Sequence, residues 1–125
     1  MRVLLDTNAL LWLLKDDSHL SPTARQLIEQ AEEIAVSEVS LWEISIKINI
    51  NKLQPIPELL NIVKELGFRR LSLSDKHLRA YESLPMLHRD PFDRMLVAQS
   101  SEENLTLVTS DTFLEKYGIQ VASTH

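Results

Sequence analysis

The chain has 125 residues, 44% of them hydrophobic, with two glycines and no cysteine. That length fits one domain over 1–125, one able to bury roughly two-thirds of its unfolded surface. The composition excludes a disordered or fibrous chain, disulfides, thiolate metal sites and a cysteine nucleophile, and it suits a reducing cytoplasm. The formal net charge of -5 argues against a non-specific nucleic-acid binder, which leaves a basic footprint. That objection weakens if several acids gather at one metal site, where bound cations reverse the local field.

The N-terminal apolar run is interrupted by Asp6 and ended by Lys15, Asp16 and Asp17, with no small-residue cleavage site after it. No segment approaches the roughly 20 apolar residues needed to cross a bilayer. A soluble, cytoplasmic protein with no membrane partner is expected.

Strand and helix alternate along the chain. Val3-Leu4-Leu5 is a short continuous apolar run, the pattern of a strand buried on both faces. Asp6-Thr7-Asn8 follows and can cap a helix through Leu14. Ser21-Pro22 marks a helix start, with Ala24, Leu27, Ile28 and Ala31 at helical spacing. Ile34-Ala35-Val36 is a second strand. From Glu43 to Asn51, polar residues alternate with Ile44, Ile46, Ile48 and Ile50, a strand pattern. The same segment also reads as a helix, with a polar stripe of Ser40, Glu43 and Lys47 and a capping-box spacing from Ser40 to Glu43. Helix is preferred, because the preceding strand needs a crossover. A helix is expected over 55–66, ended by Gly67, and a strand over Arg70–Leu73. Another helix starts at Ser74-Asp75 and runs to about Leu84. Asp90-Pro91 opens the next, with Phe92, Met95, Leu96 and Gln99 at helical spacing. Leu105–Val108 is a strand, Asp111–Lys116 a short helix, and Ile119–Val121 an edge strand.

Strands joined by helical crossovers imply an α/β domain with a mainly parallel sheet. Ligands then bind beyond the carboxyl ends of the strands. Asp6 directly follows the first strand, and Asp111 follows Leu105–Val108 after Thr109 and Ser110. Glu43 and Asp93 are expected in first turns of helices that start at the same edge. Carboxylates gathered in this way resist ionising together unless a cation binds. Oxygen donors without cysteine favour Mg2+ or Mn2+, which can activate water against a phosphodiester. Asn8 and Thr109 are placed to orient ligands or water.

Each acid also has a structural reading. Asp6 can be a helix cap, and Glu43 a capping-box residue or an i,i+4 partner of Lys47, worth only ~0.3–0.5 kcal/mol. Asp90 reads as the cap before Pro91. His19, His77 and His88 read as ordinary surface or loop histidines. Trp12 and Trp42 read as core or dimer contacts. Arg89 and Arg94 flank Asp93 and are candidates to hold RNA phosphate.

Four segments carry a resemblance: LLDTNALLW at 4–12, VSEVSLWEI at 36–44, HRDPFDRMLVAQS at 88–100 and LTLVTSD at 105–111. Together they resemble the PIN-domain ribonucleases, specifically the toxin component of VapBC-type toxin–antitoxin pairs. The resemblance implies a three-layer α/β/α sandwich and a Mg2+- or Mn2+-dependent endoribonuclease. Asp6, Glu43, Asp93 and Asp111 match the four acids of that family, with Asp6 and Asp93 as principal metal ligands. A homodimer, a cognate antitoxin, an RNA substrate and DNA contact only through the antitoxin are implied as well. A receiver-like phosphoacceptor would need paired acids near the first strand and a lysine after a late one. Position 8 is Asn, and no lysine follows Val108. A non-enzymatic partner-binding α/β domain, with the acids as caps, is the other alternative.

Overall fold

The computed structural model describes residues 1–125. Its elements, in order, are β1 (Arg2–Leu5), α1 (Thr7–Leu14), α2 (Pro22–Glu29), β2 (Glu33–Ser37), α3 (Glu38–Asn49), α4 (Leu59–Glu65) and β3 (Arg69–Leu71). There follow α5 (Asp75–Glu82), α6 (Pro91–Glu103), β4 (Thr106–Thr109), a 3₁₀ helix (Thr112–Tyr117) and β5 (Val121–Ser123). The strands form one five-stranded sheet in the order β3-β2-β1-β4-β5. Every pairing is parallel.

Alternation along the strands divides the core. Val3, Leu5 and Val36 face one layer, packed with Leu10 of α1, Ile28 of α2, Ile44 of α3 and Val63 of α4. Leu4, Ala35 and Leu107 face the other, against Leu96 and Val97 of α6 and Leu114 of the 3₁₀ helix. Apolar residues on consecutive positions of β1 are what a sheet covered on both faces requires. The result is the expected α/β/α sandwich. Leu4 and Leu107 have no exposed surface, and truncating either to Ala would cost about 2–5 kcal/mol.

The connections explain where sequence patterns held and where they shifted. The β2–β3 pairing is parallel, so the segment between them must cross over, and the isoleucine-rich stretch folds as helix α3. Its cap is Ser37, whose hydroxyl accepts from Val39 N–H at 3.0 Å. The capping box expected from Ser40 to Glu43 is therefore absent. Glu43 lies in the second turn of α3 rather than its first. The helix expected over 55–66 begins only at Leu59, because Pro57 disfavours helical backbone at Ile56 and Glu58 takes the left-handed conformation at φ +60°. It ends as expected: Gly67, at φ +76°, takes the left-handed turn that stops α4. β3 begins one residue earlier than its pattern suggested, and β5 two residues later, in register with Leu107–Thr109. No helix is long and apolar enough to cross a membrane.

From β1 the chain moves outward through β2 to β3, then returns across the sheet to β4 and β5. The reversal point therefore lies between β1 and β4. In open parallel sheets a crevice forms there, at the carboxyl ends of the strands.

Candidate active site

Asp6 occupies that crevice. Its backbone N–H donates to Val108 O at 3.0 Å, which continues the β1–β4 pairing by one residue. Its carboxylate caps α1 by accepting from Ala9 N–H at 2.7 Å. Thr109 and Ser110 lie near enough to favour its charged form. Burial pushes the Asp6 carboxyl above its ordinary range, the Ala9 hydrogen bond and nearby Thr109 oppose this, and the Glu43 charge adds to the rise.

Thr109 Oγ1 accepts from Asp111 N–H at 3.0 Å. Asp111 thereby turns out of the strand end at the edge of the crevice, where its side chain is 38% exposed.

Glu43 reaches the site from α3. Its Oε1 accepts from the Thr7 hydroxyl, and its Oε2 lies 3.4 Å from Lys47 Nζ one turn on. Thr7 is buried at the start of α1. From the sequence Thr7 reads only as a possible cap beside Asp6, and its bond to Glu43 appears only in the structure. Its place in the Asp6-Thr7-Asn8 triplet was the available signal.

Asp93 enters from the other layer, in the first turn of α6. Asp90 caps that helix as expected, accepting from Phe92 N–H at 2.8 Å and Asp93 N–H at 3.4 Å. Burial pushes the Asp93 carboxyl up to about 7, and the charges of Asp90, Asp6 and Glu43 contribute to the rise. Glu43 lies on α3 and Asp6 directly follows β1, so the charges that bear on Asp93 come from other elements of the fold.

His88 is a correction. Far from an ordinary loop residue, it places Nε2 2.8 Å from Asp111 Oδ2 and 3.8 Å from Asp93 Oδ2. One ligand atom from each of His88, Asp93 and Asp111 falls within 4.8 Å of the others. His77 is corrected too. It is 1% exposed, caps α5 together with Ser74, and pairs with Glu103 at 3.0 Å, away from the crevice. His19 is the exposed residue expected, beside Asp17 and stacked on Trp12.

The two arginines differ. Arg94 is 8% exposed, with its guanidinium 4.7 Å over the Tyr81 ring and bonded to Tyr81 Oη and Leu84 O, both at 3.3 Å. Its side chain is consumed in bracing α6 against the end of α5, which departs from its expected role. It is unavailable to phosphate. Arg89 is exposed in the loop before α6. Asn8 is likewise exposed, in the first turn of α1. Trp42 is 61% exposed and meets Phe92 edge to face, beside the half-exposed Leu73, which suits a contact residue rather than a core one.

The sequence model of the PIN domain matches residues 3–120. The chain is 29% identical over 118 residues to Ribonuclease VapC22 of Mycobacterium tuberculosis, covering 92% of this chain and 91% of that protein. Its fold is similar to that of the DNA-bound VapBC of Salmonella typhimurium, with a TM-score of 0.71 at 15% identity over 100% of this chain and 99% of that one. A toxin–antitoxin complex from Klebsiella pneumoniae gives a TM-score of 0.70 at 18% identity, with 98% of each chain covered. At such identities the solved structures establish the fold, and the family rests on the sequence match. Matched by that model along nearly its whole length, the chain belongs to the PIN-domain family.

Proposed function

We propose that this protein is an endoribonuclease of the VapC type, the toxin of a toxin–antitoxin pair, and that it uses Mg2+ or Mn2+ held by the acids of the crevice. The observation that carries this reading is Asp93, which stands within 4.8 Å of an Asp111 oxygen and whose carboxyl is pushed up to about 7 by burial first and by the charges of Asp90, Asp6 and Glu43 after it. A divalent cation would relieve that crowding. The donors fit such an ion, being carboxylate oxygens with no thiolate in the chain. Asp6 and Asp93 would hold it, with Glu43 and Asp111 completing the set directly or through water. When bound, it supplies a water nucleophile at neutral pH and neutralises charge on the scissile phosphate.

The chain's own residues prepare that site. Ala9 N–H holds Asp6, and Thr7 and Lys47 hold Glu43. Hydrogen-bonded carboxylates of this kind need little reorganisation when the ligand arrives. Arg89, exposed in the loop before α6, would hold RNA phosphate.

A cognate antitoxin and a second copy of the chain are the proposed protein partners, in line with the complexes that share this fold. Exposed Trp42, packed edge to face on half-buried Phe92, offers an apolar contact next in sequence to Glu43 and Asp93. DNA would be met only through the antitoxin. Asp6→Asn and Asp93→Asn should each abolish Mg2+- or Mn2+-dependent RNA cleavage while circular dichroism stays that of the parent. Full cleavage by both variants, or by the parent in chelator, would overturn the reading.

A further inference from the structure

We propose that His88 is a positioning residue: as the Nε2–H tautomer it donates to Asp111, holds that carboxylate beside Asp93, and does not itself ligate the cation. Its consequence for activity rests on the nuclease reading above.

The clustering of His88, Asp93 and Asp111 invites a different assignment, a three-ligand metal site. The other face of the ring speaks against it. His88 Nδ1 lies 3.1 Å from the backbone N of Asp90, whose only hydrogen-bonding role is as a donor. Nδ1 must therefore offer its lone pair, and the ring proton sits on Nε2. An Nε2 that carries a proton cannot coordinate a cation. It can donate, and Asp111 Oδ2 lies at 2.8 Å to receive it.

The ring is not free to exchange these roles. The His88 N–H donates to Tyr117 Oη at 2.9 Å, which ties the loop to the 3₁₀ helix. Asp90, which fixes Nδ1, is itself fixed as the cap of α6. Reversing the tautomer would set Nδ1–H against Asp90 N–H and break one of these anchors.

Asp111 needs such a holder. Its backbone is fixed by the Thr109 hydroxyl, yet its side chain is 38% exposed and lies on the short turn between β4 and the 3₁₀ helix. His88 engages Oδ2 and leaves Oδ1 without a hydrogen-bond partner in the chain. The histidine thus joins the cap of α6, the helix that carries Asp93, to the turn after β4 that carries Asp111. A single ring sets the spacing of two acids from different elements.

Two measurements test this. The first is the ring-nitrogen chemical shifts of His88 in 15N-labelled protein, with and without Mg2+. The expected result is a proton on Nε2 in both. A proton on Nδ1, or a transfer to Nδ1 when Mg2+ is added, overturns the proposal. The second compares His88→Gln with His88→Asn in Mn2+ affinity, read from the electron paramagnetic resonance of free Mn2+. Gln can present an amide donor near the Nε2 position. Asn can accept from Asp90 but is too short to reach Asp111. The Asn variant should bind Mn2+ about 10-fold more weakly and the Gln variant within about 3-fold of the parent, the scale of groups that orient metal ligands. Equal affinities, or the reverse order, overturn it. If the Asn variant does not fold, the ring shifts and the Gln variant still decide. A protein that cleaves no RNA would refute the nuclease reading while leaving both measurements able to judge His88.

Discussion

The Thr7 hydroxyl donates to Glu43 Oε1 across 36 positions of sequence, joining the first turn of α1 to the second turn of α3. Both helices lie on the same face of the sheet, so this bond fixes their spacing at the crevice. Thr7→Val keeps the shape and removes the donor. Glu43 would then be restrained only by Lys47, a pair with a half-exposed cation and little strength of its own. RNA cleavage should fall about tenfold, mostly in kcat, with the thermal midpoint nearly unchanged. Single-turnover kinetics beside a thermal melt would check it.

Asp93 makes the metal-free protein sensitive to pH. Its carboxyl titrates at about 7 in the folded chain, against roughly 4 when unfolded. The folded state thus favours the proton, and stability is greatest below the unfolded value and is lost as pH rises through about 7. Thermal midpoints in chelator should fall between pH 5 and 8. Asp93→Asn should flatten that fall and melt on the order of 5 °C higher than the parent at pH 8. An Asn variant with the same slope as the parent would show that the slope originates elsewhere.

At the opposite end of the sheet, Glu103 joins His77 at 3.0 Å and Arg69 at 3.0 Å, and Arg69 also meets Glu33 at 3.3 Å. The His77 and Arg69 hydrogen bonds hold the Glu103 carboxyl below its ordinary range, and Arg2 does the same for Glu33. The sign here is opposite to that of Asp93. Stability from these groups is present above about pH 4.5 and is lost as pH falls through the depressed values. Glu103→Gln should destabilise by about 1–3 kcal/mol, because buried His77 loses its charged acceptor. RNA cleavage at 25 °C should be unaffected. Chemical denaturation at pH 4 and pH 7 would show the difference shrinking in acid.

Arg89 and Arg94 should separate cleanly. Arg94→Ala removes the brace between α5 and α6 and should cost about 2–3 kcal/mol of stability. Arg89→Ala should leave stability alone, weaken RNA binding, and reduce the salt slope by about 0.7, as for one phosphate contact on a single strand. Binding isotherms at several salt concentrations, with a catalytically inert Asp6→Asn background, would measure both effects.

Much of the fold was written in local pattern. The apolar run of β1, the Ser21-Pro22 and Asp90-Pro91 helix starts and Gly67 after α4 each act within a few residues, so adjacent positions suffice to reveal them. The parallel α/β sheet and the acids at the strand ends followed from the order of these elements, and the three-layer sandwich from the family resemblance. Asp6 and Asp111 in particular needed only their place after β1 and β4. What neighbouring positions do not encode is which way a long side chain turns. Arg94 stands next to Asp93 in sequence and packs away from it, because Tyr81 and the Leu84 carbonyl lie on the side where its stem leaves α6. His88 and Asp111 are 23 positions apart and meet only once the sheet and the α6 cap are assembled. The sequence alone thus determined the elements, their alternation and the acids. The tertiary structure decided which charges face one another, because burial and partner geometry are set by packing between layers rather than by spacing along the chain.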